Sequence, residues 1–237
     1  MRIKICGITD KEELTICARY ADALGFVVEY PIDVPWNISR EKARELVLST
    51  PPLIGTVVIT TGNMERIKKI AEATKPTAVQ LHGEETPEFV KEFVEYSRDR
   101  CFKVIKAVQI DVDVDVDVDV DVDVDVDVDT MRSLGRDLAN VVTEYEEAGV
   151  DALLLDAKDD TPAGGTGITL DWSKIADVTR EIDTPIFIAG GLNIDNVRLA
   201  VEQIDPFGVD VISGVETEGR KDEEKVKDFT RAVRRIR

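Results

Sequence analysis

Cysteine is scarce in this 237-residue chain: Cys6, Cys17 and Cys101 are its only three. They are odd in number, widely spaced and free of any CxxC pattern, which excludes a disulfide framework and a structural zinc cluster and fits a reducing compartment. Histidine is scarcer still, with His82 alone. No apolar run approaches the roughly 18 residues of a membrane span, and no basic start leads into such a run, so neither a span nor a signal peptide is expected. A cytoplasmic location follows as the expectation. Positive charge is in deficit: the formal net charge of −18 argues against a nucleic-acid backbone or an anionic membrane as partner. Much of that excess lies in one stretch of alternating Asp and Val from Asp111 to Asp129, and the rest of the chain is only moderately acidic. HExxH, carboxylate-rich ligand patterns and the Rossmann fingerprint are also missing, which favours a reaction with no cofactor and no metal.

What is present is a repeated alternation. Short β-branched runs are each followed by a longer amphipathic segment: "RIKIC" then residues 11–20, "ADALGFVV" then 39–48, "LIGTVVI" then 63–73, "TAVQL" then 87–96. "FKVIKAV" then 134–148, "DALLL" then 172–181, "PIFIA" then 193–203 and "VDVIS" then 223–235 complete eight units. Eight β-then-α units predict an α/β fold of the (β/α)8 TIM-barrel type, with residues 1–237 as one domain. A doubly wound open sheet is the structural alternative. Thr9 or Asp10 is placed to cap the first helix and Asn193 the seventh.

The Asp-Val repeat, residues 111–129, reads as an acidic insertion after the fifth strand. As one strand it would span about 60 Å, far beyond a barrel strand. A flexible surface excursion is expected, with an ordered flap and a cation-attracting arm as alternatives.

Barrel chemistry sits where the carboxyl ends of the strands feed the following loops. Placing polar strand-end residues by that rule gathers Cys6, Gln80, His82, Asp156 and Asp210 at one rim, with Lys106 near it. Each has a plainer alternative: Cys6 as a small buried hydrophobe, His82 satisfying loop backbone, Asp156 or Asp210 capping a turn. Glycines form a second group. "TPAGGTG" (161–167) suits a lid after the sixth strand, while Gly190 and Gly191 follow the seventh and Ser213 and Gly214 the eighth. In this fold the last two loops commonly cradle phosphate, so a phosphorylated small-molecule substrate is expected. A candidate base, a candidate acid and a phosphate cradle suit proton relocation on a sugar phosphate.

These motifs resemble one family. "KICGIT", "AVQLHGEE", "LLLD", "GGTGITLDW", "AGGLNIDNV" and "DVISGVE" with "GRKD" run in order from Lys4 to Asp222 and are similar to phosphoribosylanthranilate isomerases of tryptophan biosynthesis. The resemblance implies a (β/α)8 barrel that converts N-(5-phosphoribosyl)anthranilate to 1-(o-carboxyphenylamino)-1-deoxyribulose 5-phosphate, an Amadori rearrangement without cofactor. It implies Cys6 as general base and Asp156 as general acid. It also places His82 in the pocket, Asp210 near the sugar, and Gly190, Gly191, Ser213 and Gly214 around phosphate.

One stretch departs from the family. Where its members carry an arginine in a "YPxSxRxI" pattern, this chain reads "YPIDVPWNIS", with Pro35 and Trp36 at the expected place. Trp36 is then the candidate to stack on the anthranilate ring, with Asn37 and Arg40 as candidate polar contacts or as plain capping and surface residues. An isomerase of another aminoaldose phosphate and a non-catalytic phosphometabolite-binding barrel stay open, as do a monomer and a homodimer.

Overall fold

In the computed structural model the described residues are 1–111, 128–158 and 172–236. The chain alternates β1 (Arg2–Ile5), α1 (Lys11–Cys17), β2 (Ala23–Val28), a short β3 (Asn37–Ile38), α2 (Arg40–Ser49), β4 (Gly55–Thr60), α3 (Met64–Thr74), β5 (Ala78–Leu81) and α4 (Pro87–Arg98). It continues through β6 (Lys103–Asp111), α5 (Val128–Glu147), β7 (Ala152–Lys158), α6 (Trp172–Arg180), β8 (Ile186–Ala189), α7 (Val197–Ile204) and β9 (Gly208–Val211). A one-turn 3-10 helix at Ser213–Val215, a small hairpin of β10 (Glu216–Thr217) and β11 (Arg220–Lys221), and α8 (Glu223–Arg235) end it.

The sheet closes. β1 pairs in parallel with β9 on one side and with β2 on the other, so eight strands form a barrel and β3 merely extends the edge of β2. The open-sheet alternative is thereby excluded.

Closure divides the apolar residues into two sets. Ile3, Ile5, Val58, Val79 and Val104 join residues from the helices, such as Leu14, Ala43, Phe93 and Phe229, in a layer between strands and helices. Val57, Ile59, Ala78, Ile105 and Leu154 form a second cluster with no helical member, which is the barrel interior. Successive side chains point to opposite faces of a strand, so inward and outward positions alternate. That alternation decides which polar residues reach the mouth: Lys4, Cys6, Gln80, Asp156 and Asp210 fall on the inward phase, and Lys106, between Ile105 and Ala107, falls on the outward one.

Local chemistry sets the helix starts. Asp222 accepts from the amides of Glu224 and Lys225 to cap α8, whose buried Val226, Phe229, Thr230 and Val233 recur at helical spacing. Asp10, rather than Thr9, caps α1 through the amides of Glu12 and Glu13. Asn193 does not cap α7: its carboxamide oxygen accepts from Asp195 and Asn196 in the turn before, and the helix starts four residues later.

The repeat needs a correction. An insertion that interrupts the barrel after the fifth strand was expected over Asp111–Asp129, and the closed barrel has no such interruption. Asp111 is the last residue of β6, in register with Lys158 of β7, and Val128 and Asp129 open α5. Both ends of the repeat are therefore parts of an ordinary β/α unit. The reason is that a ladder is made by backbone groups, which continue past the point where the side chains turn acidic. Residues 112–127, the remainder of the repeat, lie outside the described residues.

Candidate active site at the barrel mouth

Cys6 leaves the end of β1 as a buried residue whose amide donates to the Val211 carbonyl at 2.9 Å. Its thiol has room because position 25 on the neighbouring β2 is glycine: a Cβ there would lie 2.6 Å from Cys6 Sγ. The chain then turns at Gly7, whose φ of +79° is unfavourable for other residues and whose missing Cβ admits the indole of Trp36. This accounts for the Cys-Gly step that ends the first apolar run.

Beneath the thiol, Lys4 and Asp210 stand opposite each other on β1 and β9, with Lys4 Nζ 2.5 Å from Asp210 Oδ2. Lys4 is 1% exposed. Burial pulls its ammonium down, but the carboxylate of Asp210 and the sulfur of Cys6 outweigh that, and the net shift is upward. Cys6 is pushed up to about 11, first by burial; Lys4 opposes this, Asp210 adds to it, and Lys221 and the Gly7 amide oppose it. Asp210 is itself raised by burial against the pull of Lys4, and its Oδ1 is buried without a hydrogen-bond partner among the described residues.

On the far side of the mouth a second group gathers. His82 Nδ1 is 3.3 Å from Gln80 Nε2, and His82 Nε2 is 3.3 Å from Asp156 Oδ2. The Tyr30 hydroxyl donates to the His82 carbonyl, and its ring stands edge-on to the imidazole with centroids 6.3 Å apart. Gln109 is the register partner of Asp156 on β6 and is exposed on the same inward phase.

Trp36 packs beside the inner cluster that contains Cys6, and its indole nitrogen donates to Glu216 at 2.9 Å. Glu216 is held in turn by the buried Lys221 at 2.6 Å, which also donates to the Ile212 carbonyl. The other two candidates from that stretch are occupied elsewhere. Arg40 makes a two-pronged pair with Glu29, both contacts at 2.6 Å, and Asn37 brackets the Tyr30 backbone at 2.9 Å to both its amide and its carbonyl. Both shape the loop.

Lys106 also sits away from the mouth. It is 2% exposed, pairs with Glu85 at 2.9 Å, donates to the Gly83 carbonyl at 2.6 Å and lies over the Tyr145 ring. It clamps the loop that follows His82 from behind. Burial pulls its ammonium down, with Glu85 opposing.

The two glycine-bearing loops meet. Gly190 and Gly191 have φ of 93° and 58°, and a Cβ on Gly191 would meet none of the described residues within 4 Å. Gly214 lies so close to the Leu192 carbonyl that no side chain fits, while Ser213 beside it is exposed. The proposed lid, 161–167, lies outside the described residues.

Sequence reasoning brought Cys6, Gln80, His82, Asp156 and Asp210 to one rim, and there they are. It missed Tyr30, Gln109, Glu216 and the inward role of Lys221. Register with Asp156 marks Gln109, but that register is known only once the strands are paired.

Ionisable side chains converging at the carboxyl ends of a closed parallel barrel define an enzyme of the (β/α)8-barrel class. The family model for N-(5'-phosphoribosyl)anthranilate isomerase matches residues 3–130 and 122–232. The N-(5'-phosphoribosyl)anthranilate isomerase of Methanopyrus kandleri is 40% identical over 240 residues, covering all of both chains. The solved phosphoribosyl anthranilate isomerase of Thermotoga maritima superposes with a TM-score of 0.78 at 33% identity, over 99% of this chain and 98% of that one. A phosphoribosyl anthranilate isomerase in complex with reduced 1-(o-carboxyphenylamino)-1-deoxyribulose 5-phosphate gives a TM-score of 0.74 at 31% identity, over 99% and 98% of the two chains. The chain belongs to the N-(5'-phosphoribosyl)anthranilate isomerase family.

Proposed function

We infer that this protein isomerises N-(5-phosphoribosyl)anthranilate to 1-(o-carboxyphenylamino)-1-deoxyribulose 5-phosphate, in tryptophan biosynthesis, with residues 1–237 acting as one barrel domain. The observation that carries the site assignment is the division of the mouth into two walls. One holds Cys6 above Lys4 and Asp210, and the other holds Asp156 against His82.

Asp156 as general acid protonates the ribose ring oxygen. The C1–O bond breaks, and the aniline nitrogen stabilises the resulting iminium. The C2 proton becomes acidic, and Cys6 as thiolate removes it to give an enolamine, which tautomerises to the ketone. A thiol held near 11 is protonated at neutral pH, so the reaction draws on the small thiolate fraction that Lys4 and the Gly7 amide favour. Asp210 Oδ1, which has no partner among the described residues, suits a sugar hydroxyl as donor. Gly190, Gly191, Ser213 and Gly214 surround the phosphate, and the indole of Trp36 offers a face to the anthranilate ring. His82 serves the acid.

Loss of anthranilate-type fluorescence from freshly generated N-(5-phosphoribosyl)anthranilate tests this. Wild type should convert it rapidly to the ribulose product, and folded Cys6→Ser and Asp156→Asn should each lose about a hundredfold or more in kcat. Full activity in either variant removes that residue from its role.

A further inference from the structure

Gln80 is 1% exposed at the end of β5, and it spends one half of its amide on His82 while the other half, Oε1, is buried without a partner among the described residues. With Nε2 facing His82 Nδ1, that ring nitrogen accepts, so the neutral imidazole carries its proton on Nε2, which faces Asp156 Oδ2. In this arrangement a neutral His82 presents its proton to Asp156, whereas a general acid must carry one of its own.

A primary amide has a donor and an acceptor in nearly the same shape. Turning that of Gln80 by half a revolution would put Oε1 at Nδ1, where it accepts from an N–H. The turn only exchanges which half lacks a partner, so the two orientations differ chiefly in the ring protonation they select. We infer that Gln80 is a positioning residue that reverses the hydrogen-bond polarity of His82, so that Asp156 is held both with and without its proton. This rests on Asp156 being the acid.

The protons balance as follows. When the His82–Asp156 pair takes up one proton from solvent, the added proton resides on Nδ1 and is held by the turned amide. The Nε2–H bond breaks, an O–H bond forms at Asp156 Oδ2, and a neutral imidazole faces a loaded carboxylic acid. Delivery to the substrate's ring oxygen restores the carboxylate, and loss of the Nδ1 proton to solvent with uptake of one at Nε2, as the amide turns back, restores the starting tautomer. The charged and titratable neighbours are Asp210 with Lys4 from the β9 and β1 side, Tyr30 from beyond β2, and Glu85 in the loop after β5. Tyr30 fixes the His82 backbone through its carbonyl, which leaves the ring protonation to Gln80 and Asp156.

His82 is the only histidine, so a protein carrying 15N-labelled imidazole gives a single pair of ring signals. Ligand-free wild type near neutral pH should show the Nε2–H tautomer. Gln80→Glu accepts only, and should hold a proton on Nδ1 at neutral pH; Gln80→Leu should lose the preference. Both should lower kcat about tenfold or more with KM changed by no more than about threefold. Nδ1–H in the neutral wild type, or an unchanged tautomer and pH–rate profile in folded Gln80→Leu, overturns the proposal. Because the spectrum needs no substrate, that failure is separate from a failure of the isomerase reading.

Discussion

Lys4 and Asp210 are partners twice over: they are register partners on β1 and β9, and their charges meet at 2.5 Å inside the barrel. The ammonium therefore serves two neighbours, the carboxylate beside it and the thiol of Cys6 above. Lys4→Met should cost about 3–5 kcal/mol of stability, because Asp210 is left as an uncompensated buried charge. It should also move the alkaline rise of kcat/KM to higher pH. Urea unfolding and a pH–rate profile read the two effects. The double variant Lys4→Met/Asp210→Asn should regain much of the stability and none of the activity. A wild-type pH profile in Lys4→Met would show that Lys4 does not support the base.

The buried thiols make alkaline stability predictable. Burial raises Cys6 to about 11 and, with Glu13 and Glu216 adding and Lys221 opposing, raises Cys17 to about 12. Above a free thiol's pKa of about 8.5 the unfolded chain loses these protons while the folded chain keeps them, so the unfolded state binds fewer and stability falls as pH rises. The loss runs from there to about 11 for Cys6 and about 12 for Cys17, with a limiting slope of about 1.4 kcal/mol per pH unit for each thiol. Unfolding midpoints taken from pH 8 upward should show the decline, and Cys17→Ala should make it shallower whatever its effect at neutral pH. An unchanged slope in that variant would mean Cys17 ionises as readily folded as unfolded.

Trp36 divides into a hydrogen bond and a ring. Trp36→Phe removes the donor to Glu216 but keeps an aromatic face, and should raise KM for the phosphoribosyl substrate about threefold to tenfold. Trp36→Ala should raise it further, with kcat falling less than KM rises. Steady-state kinetics on both variants decide it: a KM unmoved in Trp36→Ala would take the indole out of the binding site.

Lys106→Met tests the clamp behind the mouth. Among the described residues, Glu85 would stay buried with Thr61, at 2.5 Å, and the Gly83 amide, at 3.0 Å, as its remaining partners, so a loss of about 3–5 kcal/mol is expected. Since Lys106 lies outside the cavity, kcat of the folded fraction should stay within about threefold of wild type. A collapse of kcat with stability intact would place Lys106 in the chemistry after all.

The order of strands and helices was legible because each strand is a compact apolar run and each helix repeats on a 3.6-residue period. So were Cys6, Asp156 and Asp210, which end or punctuate such runs. Lys106 misled because nearness to a strand end does not reveal phase: Ile105 and Ala107 point inward and leave it outside. For Arg40 and Asn37 the sequence left a polar contact and a structural role both open, because their partners, Glu29 and the Tyr30 backbone, are chosen by the path of a loop that carries no periodic signal. The repeat looked like an interruption because side-chain charge changes at Asp111, whereas the β6–β7 ladder runs through it.

Gly25 contributes nothing to the mouth except room. With a Cβ there placed 2.6 Å from Cys6 Sγ, the thiol would have to leave its present position for even alanine to fit. The Cys6 sulfur is thus located by a vacancy on the neighbouring strand as much as by its own backbone. An engineer who transplants Cys6 into another barrel must carry that hollow with it, since the thiol and its socket are encoded nineteen positions apart.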